Sequence, residues 1–251
     1  MLFRPPLIAS LALSLLAAAT PPQEEPLWNG KDLSGFYTYL KTSGKNNDPD
    51  HVFKVLDGMV HVSGKEYGYF ATEREYENYH LKVEFKWGQA TWPPREKAAR
   101  DSGILFHMQG EDKVWPQSIE FQLIEGGTGD LLVVGGASIA FDPSLERRLA
   151  EPKQKMLSAD GTRIVRSRVD WEKRSPMWKD VLGFRGEDDL ERPLGEWNTL
   201  DLECRGDHFT YWVNGTKVIE GRGAQPSKGR ILFQSEGAEL YFRKITIRTL
   251  S

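Results

Sequence analysis

Residues 101–136 read DSGILFHMQGEDKVWPQSIEFQLIEGGTGDLLVVGG, and the alternation of polar and apolar side chains along them decides the fold. Two runs, 103–109 and 117–125, follow the period of two that marks half-buried strands, with a polar loop between them. In the second run Ile119, Phe121 and Leu123 take one face, and Ser118, Glu120, Gln122 and Ile124 the other. In the first, Ile104, Phe106 and Met108 form the apolar set, opposite Leu105 and His107. The alternation predicts Glu120, Gln122 and His107 on one face of neighbouring strands. A solvated sheet face is the plain reading of such a pattern. Trp115 and the pairs Gly126-Gly127 and Gly135-Gly136 favour a site for a polar, ring-shaped ligand instead. Aromatic faces stack on sugar rings, and glycines let the backbone come close.

Outward from this pair, strand signals dominate. Residues 52–56 and 59–62 flank Asp57-Gly58, and 207–213 and 216–219 flank Asn214-Gly215, the dipeptides of tight hairpins. Along 79–87, Leu81, Val83, Phe85 and Trp87 alternate with His80, Lys82, Glu84 and Lys86. With runs at 68–72, 197–205, 229–234 and 239–248, about a dozen short strands predict an all-β chain, an antiparallel β-sandwich or barrel. Two sheets packed face to face would bury Leu81, Val83, Phe85, Ile119, Phe121 and Leu123 between them. Residues 89–100 read as a long loop over the site rim. Residues 141–194 are charged, with a strand-like run only at 162–169 and with Trp171 and Trp178 embedded in them. That stretch is either a surface excursion pinned by its tryptophans or a cover over one mouth of a cleft.

The 33 basic and 36 acidic residues of the 251-residue chain are interspersed, with no basic stripe. This charge pattern excludes nucleic acid and a membrane surface as expected partners. Residues 1–19 have the order of an export signal: Arg4, an apolar core at 7–16, and Ala17-Ala18-Ala19 as cleavage site. They predict a secreted or periplasmic protein whose mature chain does not insert into a membrane. Residues 20–26 read as a linker and 27–250 as a single domain. Cys204, the one cysteine, excludes an internal disulfide and sits in an alternating run, so a buried structural thiol is expected.

No phosphate loop, G-x-S-x-G, H-E-x-x-H or EF-hand loop is present. Glu120-Phe121-Gln122-Leu123-Ile124-Glu125 resembles the E-x-D-x-x-E of sandwich-fold β-glucanases, with Gln122 at the aspartate position. In those enzymes a bulge brings both glutamates to one face; without one, Glu120 and Glu125 point to opposite faces.

Six pieces together resemble one family: LWNGKDLSGF at 27–36, TEREYENYHLKVEFKW at 72–87, the DSGILFHMQG and VWPQSIEFQLIEGGTGD segments, GEWN at 195–198, WVNG at 212–215, and ILFQSEGAELYFRKITI at 231–247. The chain is similar to the 3-keto-disaccharide hydrolases, also described as 3-keto-glucoside lyases and 3-keto-2-hydroxy-glucal hydratases. The resemblance implies a concanavalin A-like lectin/glucanase sandwich (a jelly roll) and action outside the cytoplasm on 3-keto-glycosides. A ketone at C3 acidifies the C2 hydrogen, so a base removes it, the C1 substituent leaves, and water adds back. Such chemistry needs a base, an enolate stabiliser and an acid. For the chemistry that the resemblance implies, Glu120 is the candidate base, His107 the acid/base partner or metal ligand, and Gln122 an orienting donor. Lys86, or a divalent cation on His107 and Glu120, would stabilise the enolate. Lys86, Glu84, Trp115 and Glu125 are the remaining candidate substrate contacts. Two alternatives stay open: a non-catalytic carbohydrate-binding module, and a two-carboxylate hydrolase of the glucanase kind.

Overall fold

The computed structural model describes residues 23–146, 148–149 and 157–251. Two eight-stranded sheets lie face to face, with every paired strand antiparallel. The first, called here the site sheet, runs in the order Ser167–Val169, Leu131–Val134, Gln117–Ile124, Asp101–Gln109, Arg230–Ser235, Gly68–Thr72, Phe36–Leu40 and Gly44–Lys45. The back sheet runs Thr216–Gly221, His208–Val213, Asn198–Arg205, Tyr79–Thr91, Ala238–Thr249, Met59–Val62 and Phe53–Leu56, and Glu25–Pro26 pairs with Ala238–Thr249. This is the antiparallel sandwich that the strand pattern predicts.

Leu81, Val83, Phe85, Ile119, Phe121 and Leu123 are all buried between the sheets, as the period-2 spacing requires. Aromatic contacts tie the layers together: Phe121 stacks on Tyr211 at 4.3 Å and Phe233 meets Phe242 edge-on at 5.3 Å between centroids. Both predicted hairpins form. Their central residues Asp57, Gly58, Asn214 and Gly215 all have the positive φ of a type I′ turn. Cys204 is fully buried, and burial pushes its thiol well above the usual range, so it is an inert core group.

The expected export signal lies outside the described residues. Glu25 and Pro26, expected in the linker, pair with Ile247 and Thr246 of the sheet. Among the described residues no helix is long and apolar enough to cross a membrane.

The stretch at 141–194 is more integrated than its charge suggests. It supplies one edge strand of the site sheet, Ser167–Val169, and one helical turn, Pro143–Glu146. It is also bolted down by buried polar groups. Asp130 takes Arg168 at 2.6 Å and the Trp171 N–H at 2.8 Å, while Glu191 takes the indole N–H of Trp87 at 2.8 Å and the Thr128 hydroxyl at 2.9 Å. Anchoring of this kind satisfies each buried charge with donors.

Candidate active site

The outer face of the site sheet holds a row of neighbours set by register: Arg168, Leu132, Glu120, Leu105, Leu232, Ala71 and Tyr37. The adjacent row holds Gln122, Gly103 and, across the next strand, Gln234. Gly103 leaves the space in which two side chains meet. A Cβ there would strike the Glu120 carboxylate and would come within 2.6 Å of Gln234 Oε1. That oxygen is buried and has no hydrogen-bond partner among the described residues.

Glu120 is 2% exposed, yet its carboxyl group makes no hydrogen bond or ion pair among the described residues. Burial, and then the charge of Asp101, push its pKa up to about 8, against the pull of Arg168. Asp101 is raised by burial against the pull of Arg95 and Arg168. Arg95 approaches it at 3.3 Å while reaching Asp180 of the 141–194 stretch at 2.9 Å. Gln122 donates to Asp101 Oδ1 and to the Ser102 carbonyl. Glu236 follows the strand Arg230–Ser235, and burial together with Asp101 and Glu120 pushes it well above the carboxylate range. Three carboxyl groups thus share one region with too little positive charge to ionise all of them.

These residues line a cleft of about 660 Å³. Asp101, Glu120, Gln122 and Glu236 lie on one side, and Val134, Gly135, Gly136, Val165, Arg166 and Arg168 on the other. Trp115 overhangs it, 46% exposed. Its loop folds back over the sheet because Asp112 accepts the Tyr37 and Tyr69 hydroxyls at 2.6 and 2.8 Å and pairs with Lys45 at 2.8 Å. The Trp115 ring then meets Tyr67 edge-on at 6.2 Å. A deep polar floor under an exposed aromatic wall suits a polar ring of sugar size.

Known proteins share this architecture. A family model described as the 3-keto-alpha-glucoside-1,2-lyase-like domain matches residues 23–248. The chain belongs to that family. No curated protein sequence matches it. Among solved structures, a candidate glycosyl hydrolase of Parabacteroides distasonis ATCC 8503 is 20% identical, covering 91% of this chain and 94% of that one, with a TM-score of 0.53. An endo-acting O-glycanase of the human gut microbiota is 10% identical over 90% and 100% of the two chains, with a TM-score of 0.53. An alginate lyase is 12% identical over 87% and 91%, with a TM-score of 0.51. At these identities the structural likeness concerns the sandwich itself.

Within this 3-keto-alpha-glucoside-1,2-lyase-like domain the candidate residues divide. Glu120, Gln122 and Trp115 all line the cleft, the first two on one face as their period-2 spacing predicts. His107 does not, which corrects the expectation that it faces Glu120. The strand Asp101–Gln109 carries a bulge after Phe106, and His107 occupies it with φ of 57°. The extra residue flips the pattern: Met108 joins Leu105 on the outer side, and His107 turns into the core. Its ring packs on Phe106 and Tyr79 at 5.0 and 5.9 Å, and burial pulls its pKa down to about 4. Turned into the core, its imidazole cannot join Glu120 on the outer face as a metal ligand pair. Among the described residues no group of three His, Cys, Asp or Glu side chains is placed to hold a metal.

Lys86 and Glu84 also lie elsewhere, on the outer face of the back sheet. Lys86 sits over the Trp197 and Tyr241 rings, and Glu84 pairs with Arg243 and Lys244 at 2.6 and 2.7 Å. Glu125 is withdrawn from the cleft, since it pairs with Arg100 at 2.6 Å and accepts the Gly183 N–H at 2.9 Å. The strand Gln117–Ile124 has no bulge that would swing Glu125 beside Glu120, so the glucanase pair is not assembled. Asp101, Glu236 and Arg168, none of them singled out in the sequence, complete the cleft. Asp101 and Gly103 lie two residues apart on one face, the one local signal that could have included the aspartate.

Proposed function

We propose that this chain breaks glycosidic bonds of 3-keto-glycosides by elimination and rehydration. The observation that carries the reading is Glu120: a buried, unpaired carboxyl group on the floor of a cleft, its pKa pushed up to about 8. A carboxylate so placed is a much stronger base than a free one, and abstraction of a proton beside a ketone requires a strong base.

Glu120 takes the C2 hydrogen, and the C2–H electrons form the C2=C3 enolate. The Arg168 guanidinium stabilises the enolate oxygen. As the enolate collapses to a C1=C2 double bond, the C1–O bond breaks. Glu236, held protonated by its surroundings, gives its proton to the leaving oxygen. Water then adds at C1, returning one proton to Glu236, while Glu120, its proton exchanged with solvent during the lifetime of the intermediate, protonates C2, so both groups end as they began. Trp115 offers the sugar ring a stacking face, and Gln122 fixes Asp101. Family membership supports the substrate class, and residues 1–19 support action outside the cytoplasm.

Incubation with 3-keto-trehalose in deuterated water tests the reading. A 2-hydroxyglycal intermediate and deuterium at C2 of the product are expected. Hydrolysis without C2 deuterium would point to direct displacement, and binding without turnover to a carbohydrate-binding module.

A further inference from the structure

The eight tryptophans of the chain differ in what covers them. Trp28, Trp87 and Trp171 are buried. Trp178 lies under Arg174 and Arg168 at 4.2 and 5.0 Å, Trp197 under Arg243 at 3.8 Å, and Trp92 donates to the Ser63 carbonyl at 2.8 Å beneath Lys65. Two remain. Trp115 overhangs the cleft already described. Trp212, partly exposed on the outer face of the back sheet, has no aromatic, cationic or indole hydrogen-bond partner among the described residues.

Trp212 is also the point where the pairing of His208–Val213 with Thr216–Gly221 slips by a bulge between Tyr211 and Trp212. Bulges re-aim side chains next to sites. The ring borders an open groove of about 260 Å³ shared with His80, Asp201, Glu203, Gly215 and Arg248. Register explains the company: Trp212 lies opposite Asp201, and Glu203, His80 and Arg248 stand side by side on three adjoining strands. Asp201 is held by His80 Nε2 at 2.9 Å with Lys82 at 4.0 Å, Glu203 Oε1 pairs with Arg205 at 2.9 Å and leaves Oε2 for a ligand, and Arg248 has no ion pair among the described residues.

An uncovered indole, two carboxylates and a guanidinium around a groove of this size match one kind of ligand. The apolar C–H face of a pyranose packs on the ring, vicinal hydroxyls donate to Asp201 and Glu203, and Arg248 donates to a ring or hydroxyl oxygen. Phosphorylated or uronic sugars are disfavoured, because two carboxylates and one guanidinium line the groove, while the Lys82 and Arg205 partners of those carboxylates lie outside its lining. We propose that this groove is a second carbohydrate-binding site, on the sheet opposite the cleft, that holds one neutral sugar unit of a glycan. It would keep the chain on a polymeric or surface glycan while the cleft acts on small glycosides.

Affinity electrophoresis in gels containing dextran, laminarin or xyloglucan tests this, with turnover of 3-keto-trehalose measured in parallel. Retardation by at least one glucan is expected. Trp212→Ala should weaken it by about tenfold or more, the loss typical of a removed aromatic anchor, while turnover stays within about twofold of wild type. Arg248→Ala, which removes a partly exposed side chain without an ion pair among the described residues, should weaken retardation too and guards against misfolding of the Trp212 variant. The Trp212 indole N–H resonance should shift on addition of a dextran oligosaccharide. No retardation in any of the three gels, or retardation lost in Trp115→Ala but kept in both groove variants, would overturn the proposal. Because binding and turnover are read separately, loss of the catalytic reading leaves this one standing, and the reverse.

Discussion

Glu120 and Glu125 belong to one hexapeptide, and both are nearly fully buried, at 2% and 6% exposure. Their surroundings are opposite. Glu125 faces Arg100 and two backbone N–H groups, so its charge is matched where it lies. Glu120 faces a cleft, with Asp101 adding repulsion and no donor within the described residues bonded to it. Glu191 and Asp130 extend the contrast: burial pushes both up, to about 7 and about 6, yet each is ringed by donors that hold the 141–194 stretch in place. Burial and a raised pKa therefore do not distinguish a reactive carboxyl group from an anchor. An unsatisfied carboxyl group that opens on a cleft does.

The largest expected effect comes from removing the proton acceptor. Glu120→Gln keeps shape and volume, and turnover of a 3-keto-glycoside should fall by about 10²–10⁴-fold, the usual contribution of a general base. Unchanged turnover would take Glu120 out of the mechanism and make Asp101 the next residue to replace.

The anchoring side of the contrast is expected to show in stability. Arg100→Ala leaves Glu125 as a buried, uncompensated charge, which typically costs about 3–5 kcal/mol. Urea unfolding should register that loss, while the protein still folded at low temperature keeps the chemistry of the cleft. A cost near zero would mean that Glu125 finds water or another donor.

The pH dependence separates the two glutamates further. The folded protein holds the Glu120 proton up to about pH 8, whereas an unfolded chain releases it near the ordinary carboxylate value of about 4.5. Between those limits the native state binds more protons, so this group's contribution to stability is full at pH 4 and is lost as pH rises through 8. Relative to wild type, Glu120→Gln should gain on the order of a few kcal/mol at pH 9 and nothing at pH 4. Activity should move the other way in the same window, with kcat/KM rising toward an apparent pKa of about 8 as the base ionises. Thermal melts and pH–rate profiles of the two proteins check both signs.

The smallest effect is expected where the sequence pointed to the wrong sheet. Lys86→Ala lies across the sandwich from the cleft and should leave turnover within about twofold and stability within about 0.5 kcal/mol. A large loss of turnover would place substrate on the back sheet and break the comparison at its root.

What the sequence determined by itself is the face of each side chain on regular strands. A strand's period of two is local, so the buried layer from Leu81 to Leu123, the hairpins at Asp57-Gly58 and Asn214-Gly215, and the placement of Glu120 and Gln122 on one face all follow from reading along the chain. His107 shows where that reading fails, because one extra residue in a bulge reverses every face beyond it, and no residue type nearby announces the bulge. Lys86 shows a second limit: alternation says which way a side chain points on its own strand but not which sheet the strand joins. The rest of the cleft was decided only by tertiary structure. Asp101, Arg168 and Glu236 are scattered over more than half of the chain, and strand order alone makes them neighbours. Their raised and opposed charges exist because packing removes water from all of them at once, a property of the assembled sheet and of no single stretch.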